Sequence, residues 1–311
     1  MATTAEVFAR SLREAGVRRI FGLPGGEVVN LIEACRREGV EFVLTRHEAT
    51  AAFMADVTGQ ISRRPGVCLS TLGPGATNLV SGVANAYLDR SPVLAITGDM
   101  STEVARSCTH QQLDLNALYG PITKWSARVV GEGTAPLVRR ALALTTEGRP
   151  GPAHLVLPSN VARGEERQGP GPALPPPPPE VAIAPEAVRK FVQVVGRAAR
   201  PVLLLGIGVD PVRHRQAVLR LLEATGMPAL VTPKAKGVIP EDHPLFAGVC
   251  SGMAGDDLLV EFLEGCDLYV GVGFDPVECD KIWFTHKGAV SLDTVRVAGN
   301  PFGADVELAG D

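Results

Sequence analysis

Short apolar runs at residues 17–21, 40–44, 66–70 and 92–97 each give way through a turn to a helical pattern. This alternation constrains the fold more than any other feature, because strands joined by helices cross over right-handed and lie parallel in a sheet covered on both faces. The opening helix is read from Thr3 and Glu6 at capping-box spacing, with Phe8, Leu12 and Ala15 on one face and Gly16 as its stop. After the first strand, GLPGGE (22–27) leads into a helix whose apolar face is Val28, Leu31, Ile32 and Cys35. RHEAT (46–50) opens an alanine-rich helix after the second, and TLGPGATN (71–78) opens one carrying Leu79, Val83 and Ala86 after the third. Helical spacing at 134–147 and an apolar run at 153–157 extend the pattern, and Pro158 is expected to close it.

Composition changes after Arg163. The following stretch is polar and proline-rich and ends in the run Pro175 to Pro179, which holds an extended conformation and acts as a stiff spacer. Beyond it, strands are read at 201–205, 229–231, 268–272 and 289–292, with helices at 211–225 and 256–264. The expected architecture is α/β, with two doubly wound, mainly parallel-sheet domains at 1–160 and 185–311 joined by a Pro-rich linker at 161–184. A length of 311 residues with 45% hydrophobic content can bury two such cores.

A net charge of -4 gives no electrostatic reason for a nucleic-acid or anionic-membrane partner. Six cysteines without a CxxC pair or His/Cys ligand spacing read as reduced core thiols. The N-terminus is charged and amphipathic rather than a secretory signal, and no apolar run approaches the length of a membrane span, so a cytoplasmic protein is expected. GLPGG, LGPGATN, GIGVDP (206–211) and GVGFDP (271–276) are glycine-rich, but Pro211 and Pro276 stand at the third glycine of GxGxxG, and no phosphate-loop Lys-Ser/Thr ending follows. His47 and Glu48 begin a zinc-protease-like motif that Ala51 breaks. Glu48 itself has two readings. It is either an acidic first-turn residue stabilised by the helix dipole, or a poorly solvated carboxyl suited to proton transfer at the strand ends where ligands collect.

The order of the motifs adds a resemblance. FGLPGG, RHEATAAFMADVTG, PGVCLSTLGPGATNLVSGVANAYLDRSPVLAITGD, HQQLD, PITKWS and GRPGPAHLVLP run in register from Ala5 to Pro158. Together they resemble the pyrimidine-binding domain of thiamine diphosphate enzymes of the acetolactate synthase type. PVLLLGIGV, VTPKAKGVIPEDHPLFAG and CDLYVGVGFDPVE resemble that family's central domain. The resemblance implies that Glu48 is catalytic and hydrogen-bonds the cofactor's aminopyrimidine, favouring an imino tautomer that can take the thiazolium proton. The cofactor then serves as electron sink for a 2-ketoacid such as pyruvate. It also implies that Gly73, Pro74 and Asn78 line the pyrimidine pocket, that Gly25 and Gly26 form a loop near the substrate, and that Gln111 faces the reacting carbons. Phe53 is expected in the core, and Lys124, within PITK, is read equally as structural or catalytic.

The chain departs from the family in several places. Members of the family grip the diphosphate through magnesium, using GDG and then paired asparagines in a third domain. Here Met100 follows Gly98-Asp99, Ala117 follows Asn116, and Gly255-Asp256 fails in the same way. No metal ligand is assigned, so Mg2+ and the diphosphate are expected to be held by a separate diphosphate-binding-domain subunit in a homo- or hetero-oligomer. A truncated chain is the competing explanation. Gln112 follows Gln111 where glutamate is frequent, which bears on substrate preference. Flavin-binding members use GMHG and an arginine after the last glycine turn. SGMAG (251–255) keeps part of the first and Phe274, Asp275 and Pro276 offer no arginine, so FAD is weakly supported. The function implied is a 2-ketoacid carboligase, with a simple decarboxylase or a non-catalytic scaffold as alternatives.

Overall fold

A computed structural model of the chain describes residues 1–104, 107, 109–177, 179, 182–251, 256–278, 288–296 and 303–310. The chain divides into two compact units, Met1–Pro178 and Pro179–Asp311. The first runs α1 (Thr4–Glu14), β1 (Arg19–Gly22), α2 (Val29–Arg37), β2 (Glu41–Leu44), α3 (Glu48–Ser62), β3 (Gly66–Ser70), α4 (Pro74–Leu88) and β4 (Val93–Asp99). It continues with α5 (Leu115–Tyr119), β5 (Trp125–Arg128), α6 (Thr134–Thr146), β6 (Ala153–Pro158) and α7 (Ser159–Arg163).

Its strands pair in parallel in the order β2-β1-β3-β4-β6-β5. The central strands β3, β4 and β6 are buried along their whole length, as their nearly continuous apolar sequences require of a sheet covered on both faces. On one face Phe8, Leu12, Leu31 and Leu137 build the main core, and on the other Ala51, Ala52, Leu79 and Val83 pack α3 and α4 down. The expected capping box is present: Glu6 N donates to Thr3 Oγ1 at 3.2 Å and Thr3 N to Glu6 Oε2 at 2.8 Å, a cap of the kind that stabilises a helix by about 1 kcal/mol.

Pro158 does not end the unit. α7 follows it, and the segment after α7 lies against the first unit instead of standing free. Glu166 gathers Thr134 N at 2.8 Å, Thr134 Oγ1 at 2.9 Å and Thr4 Oγ1 at 3.0 Å. Arg140 donates to the carbonyls of Pro175 and Pro176, each at 2.7 Å, while pairing with Glu147 at 2.6 Å. A proline run offers bare carbonyls, and the planar guanidinium can take two at once.

The second unit runs α8 (Pro185–Arg197), β7 (Pro201–Leu205), α9 (Arg215–Thr225), β8 (Ala229–Val231), β9 (Phe246–Val249), α10 (Asp257–Glu264), β10 (Leu268–Val272), β11 (Ala289–Asp293) and β12 (Val306–Ala309). Its parallel order is β12-β11-β10-β7-β8-β9. The overall fold is therefore α/β with two parallel sheets. Cys35, Cys68, Cys250 and Cys266 are buried free thiols; Cys108 and Cys279 lie outside the described residues. Among the described residues no helix is long and apolar enough to cross a membrane.

Candidate active site

The first sheet changes winding direction between β1 and β3. From there β2 lies to one side, and β4, β6 and β5 lie to the other. The turns leaving the carboxyl ends of β1 and β3 flank that switch point, the usual ligand crevice of an open α/β sheet. Glu48 reaches it from the next junction along. Thr45 Oγ1 donates to His47 O at 3.1 Å, and His47, extended at φ -154, caps α3 by accepting Ala49 N on Nδ1 at 3.1 Å. Glu48 thereby becomes the first residue of α3, with only 5% of its surface exposed.

Helix packing brings its partner opposite. Gly82 on α4 is pressed against α3, where an added Cβ would fall 2.5 Å from that of Ala52. One turn back on each helix stand Asn78 and Glu48, and Asn78 Nδ2 donates to Glu48 Oε2 at 3.0 Å. The other oxygen, Oε1, has no hydrogen-bond partner among the described residues. It lies over Gly75, where a Cβ would come within 3.1 Å of it and within 2.7 Å of Thr71 Cγ2. Gly73 is required twice over: its φ of +55 favours glycine, and a Cβ there would fall 2.6 Å from Gln111 Cβ. Gln111 itself holds a left-handed φ of +53 on an exposed loop, and Pro74, also exposed, starts α4 at a position that suits its fixed φ. Gly25 abuts the Thr71 side chain so closely that no Cβ would fit, whereas Gly26 faces open space.

The residues singled out in the sequence therefore meet as two direct pairs, Glu48 with Asn78 and Gly73 with Gln111, while Gly25 joins them through Thr71. Sequence reasoning missed Glu27. Thr71 Oγ1 donates a very short hydrogen bond to Glu27 Oε2, tying the turn after β1 to the turn after β3 across the switch point. Both residues lay inside quoted motifs, but only the pairing of β1 with β3 joins them. Gly98, at the end of β4, leaves room for the same pair, since a Cβ there would fall 3.1 Å from Glu27 Cβ.

Two family models match the chain: the N-terminal TPP binding domain of thiamine pyrophosphate enzymes over residues 2–118, and the central domain of the same enzymes over residues 188–311. The chain belongs to the thiamine pyrophosphate enzyme family. It is 36% identical to a probable acetolactate synthase large subunit of Methanocaldococcus jannaschii over 99% of this chain and 54% of that protein. Identity is 33% to the acetolactate synthase isozyme 2 large subunit of Escherichia coli, over 99% and 57%, and 32% to an acetolactate synthase of Bacillus subtilis, over 99% and 55%. The chain thus spans about half the length of the curated relatives it matches.

Within this thiamine pyrophosphate enzyme chain, the wall bearing Gly73 to Asn78 is fixed from behind. Tyr119 OH donates to Ala76 O at 2.6 Å and its ring stacks on His154 at 3.8 Å between centroids. The His154 nitrogens meet Thr97 Oγ1 at 2.9 Å and Ser126 Oγ at 2.8 Å. Burial, helped by the nearby Arg128 charge, pushes the imidazole down to about 3. Burial likewise drives the Tyr119 phenol well above its usual range, with Cys68 and Glu48 adding to it. These groups are structural supports of the wall.

Phe53 is a correction. Ala51, Ala52, Ala55 and Gly59 take the sheet-facing side of α3, so helical spacing turns Phe53 outward at 42% exposure, beside exposed Met54, Val57 and Ile61. Lys124 resolves toward its structural reading. Its Nζ donates to Glu147 O at 2.5 Å and Arg149 O at 2.8 Å at the amino-terminal end of β5, opposite to the Glu48 end of the sheet, and burial pulls it down to about 8. The flavin-related segment at 252–255 lies outside the described residues.

Proposed function

We propose that the chain forms the pyrimidine-holding part of a thiamine diphosphate-dependent 2-ketoacid carboligase of the acetolactate synthase kind. The observation carrying this reading is the Glu48 carboxyl, buried, oriented through Oε2 by Asn78, and open at Oε1 above glycines that leave no space for a side chain. A flat pyrimidine fits such a cradle, because the backbone can approach the ring face while a carboxyl meets its edge.

When bound, the cofactor supplies an electron sink for decarboxylation of the ketoacid. Glu48 would exchange a proton with the ring through Oε1, and Asn78 would keep that oxygen aimed. Gly73, Pro74 and Gly75 would admit the ring. Gln111, braced on Gly73, would face the ketoacid together with Gly25 and Gly26. Glu27, through Thr71, would hold the two turns in register and so act as a positioning residue. Carboligation is favoured over simple decarboxylation because the relatives above are named acetolactate synthases.

The diphosphate and its Mg2+ would be held by the diphosphate-binding region of a separate subunit. Phe53, Met54, Val57 and Ile61 support this assembly as an exposed apolar row on the helix that begins with Glu48. The large-subunit names of two relatives support assembly with a further chain. The test is to mix this chain with one bearing GDG and paired asparagines, add pyruvate, thiamine diphosphate and Mg2+, and assay acetolactate. Cofactor-dependent product is expected, whereas neither association nor ketoacid consumption would contradict the proposal.

A further inference from the structure

The second sheet has a switch point of its own, between β7 and β10, since β8 and β9 lie to one side and β11 and β12 to the other. In an open α/β sheet, the phosphates of a nucleotide sit in that crevice on backbone amides of the turn that follows the strand. Here the two turns close on each other. Gly208 N donates to Gly273 O at 2.8 Å and Gly206 N to Val272 O at 3.1 Å, and a Cβ on Gly208 would lie 2.7 Å from Gly273 Cα.

Glu278, carried by the turn after β10, lays its carboxylate on the remaining donors. Oε2 accepts from Ile207 N at 2.8 Å and from Asp275 N at 3.3 Å, and Oε1 accepts from Thr232 Oγ1 at 2.6 Å at the end of β8. A Cβ on Gly206 would fall 2.5 Å from Oε2, so the carboxylate rests directly on the glycine turn. Both oxygens are engaged, as those of an anion bound at such a turn would be.

We propose that Glu278 is a built-in substitute for a phosphate: its carboxylate fills the anion position of the second switch point, so this unit takes neither a nucleoside diphosphate nor a flavin dinucleotide there. A diphosphate would need the Ile207 amide that Glu278 already holds, and its charge would meet a carboxylate in the same place. Among the described residues, those of this crevice do not fit the diphosphate of FAD. This inference is independent of the chemistry proposed for the first unit.

The experiment titrates the full chain with ADP by calorimetry and with FAD by flavin fluorescence. The wild type is expected to bind neither at ligand concentrations up to the millimolar range. Glu278→Ala, which frees the Ile207 amide, should bind ADP roughly ten-fold or more tightly than the wild type, the gain of one charge-assisted hydrogen bond. Micromolar binding of either ligand by the wild type would overturn the proposal. So would equal ADP affinities in wild type and variant when circular dichroism and melting show both folded. If Glu278→Ala fails to fold, Glu278→Ser removes the charge and is too short to keep the Ile207 amide while retaining a polar side chain. It should show the same ordering, and its failure to bind better than wild type would count against the proposal.

Discussion

Each sheet reverses its winding beside its own first strand and carries glycine-rich turns there, yet the two crevices differ in what their carboxylates leave open. At the first, Glu48 is held by one oxygen and exposes the other above Gly75, and Gly26 faces free space. At the second, both oxygens of Glu278 are bonded and the turn after β7 donates to the carbonyls of Val272 and Gly273. Glycine thus packs chain on chain in both crevices, against Thr71 and Gln111 in the first and turn against turn in the second, and only the first keeps a glycine, Gly26, facing open space. Counting glycines cannot separate the two crevices; tracing where each carboxylate oxygen goes does.

The largest expected effect falls on the open carboxylate. In the reconstituted enzyme, Glu48→Gln should lower turnover on the order of 10²- to 10⁴-fold with circular dichroism unchanged. Near-normal turnover would return Glu48 to the role of an acidic first-turn residue stabilised by the helix dipole and erase the functional contrast between the two crevices. Next comes acid. The folded His154 ring stays neutral down to about pH 3, whereas in the unfolded chain it protonates near 6.5, so the unfolded state binds more protons in between. Stability should fall as pH drops through that window, by on the order of a few kcal/mol. Urea unfolding at pH 7 and pH 4 measures it, and the loss should shrink in His154→Gln.

Glu278 should act with the opposite sign. Burial raises its folded value above the ordinary 4.5, so the folded state binds the proton more readily and its contribution declines as pH rises through that region. Glu278→Gln should remove that trend without touching the His154 effect. Gly73→Ala combines a φ of +55 with a clash against Gln111, and should cost about 1–3 kcal/mol in urea unfolding while weakening cofactor binding. The smallest effect belongs to Lys124. Held at about 8 against an ordinary 10.5, it should make stability rise slightly between those pH values, and Lys124→Met should abolish the rise.

Much of the first unit was legible because its strands are short, apolar and separated by helical spacing, and because RHEAT and TLGPGATN mark the turns themselves. The strands β9 and β12 were not legible. VELA is too short to show a period, and β9 pairs through a register shift at Ala229/Leu230. α8 carries no fully buried residue, and α5 and β5 follow a loop that hides their spacing. Glu48, Asn78, Gly73 and Gln111 could be chosen from motif order, but the pairing of Glu27 with Thr71 depends on β1 lying beside β3, which no local pattern encodes. Phe53 was misplaced because an alanine-rich helix offers little amphipathic contrast to say which side faces the sheet.

The central claim is that Glu48 Oε1 is left open to work on a pyrimidine ring. The most direct measurement is the rate at which the thiazolium carbon of bound thiamine diphosphate exchanges its proton for deuterium, followed by quenched NMR in the reconstituted enzyme. Exchange is expected to slow on the order of 10²-fold or more in Glu48→Gln relative to wild type. Equal rates in the two proteins, with cofactor bound in both, would contradict the account.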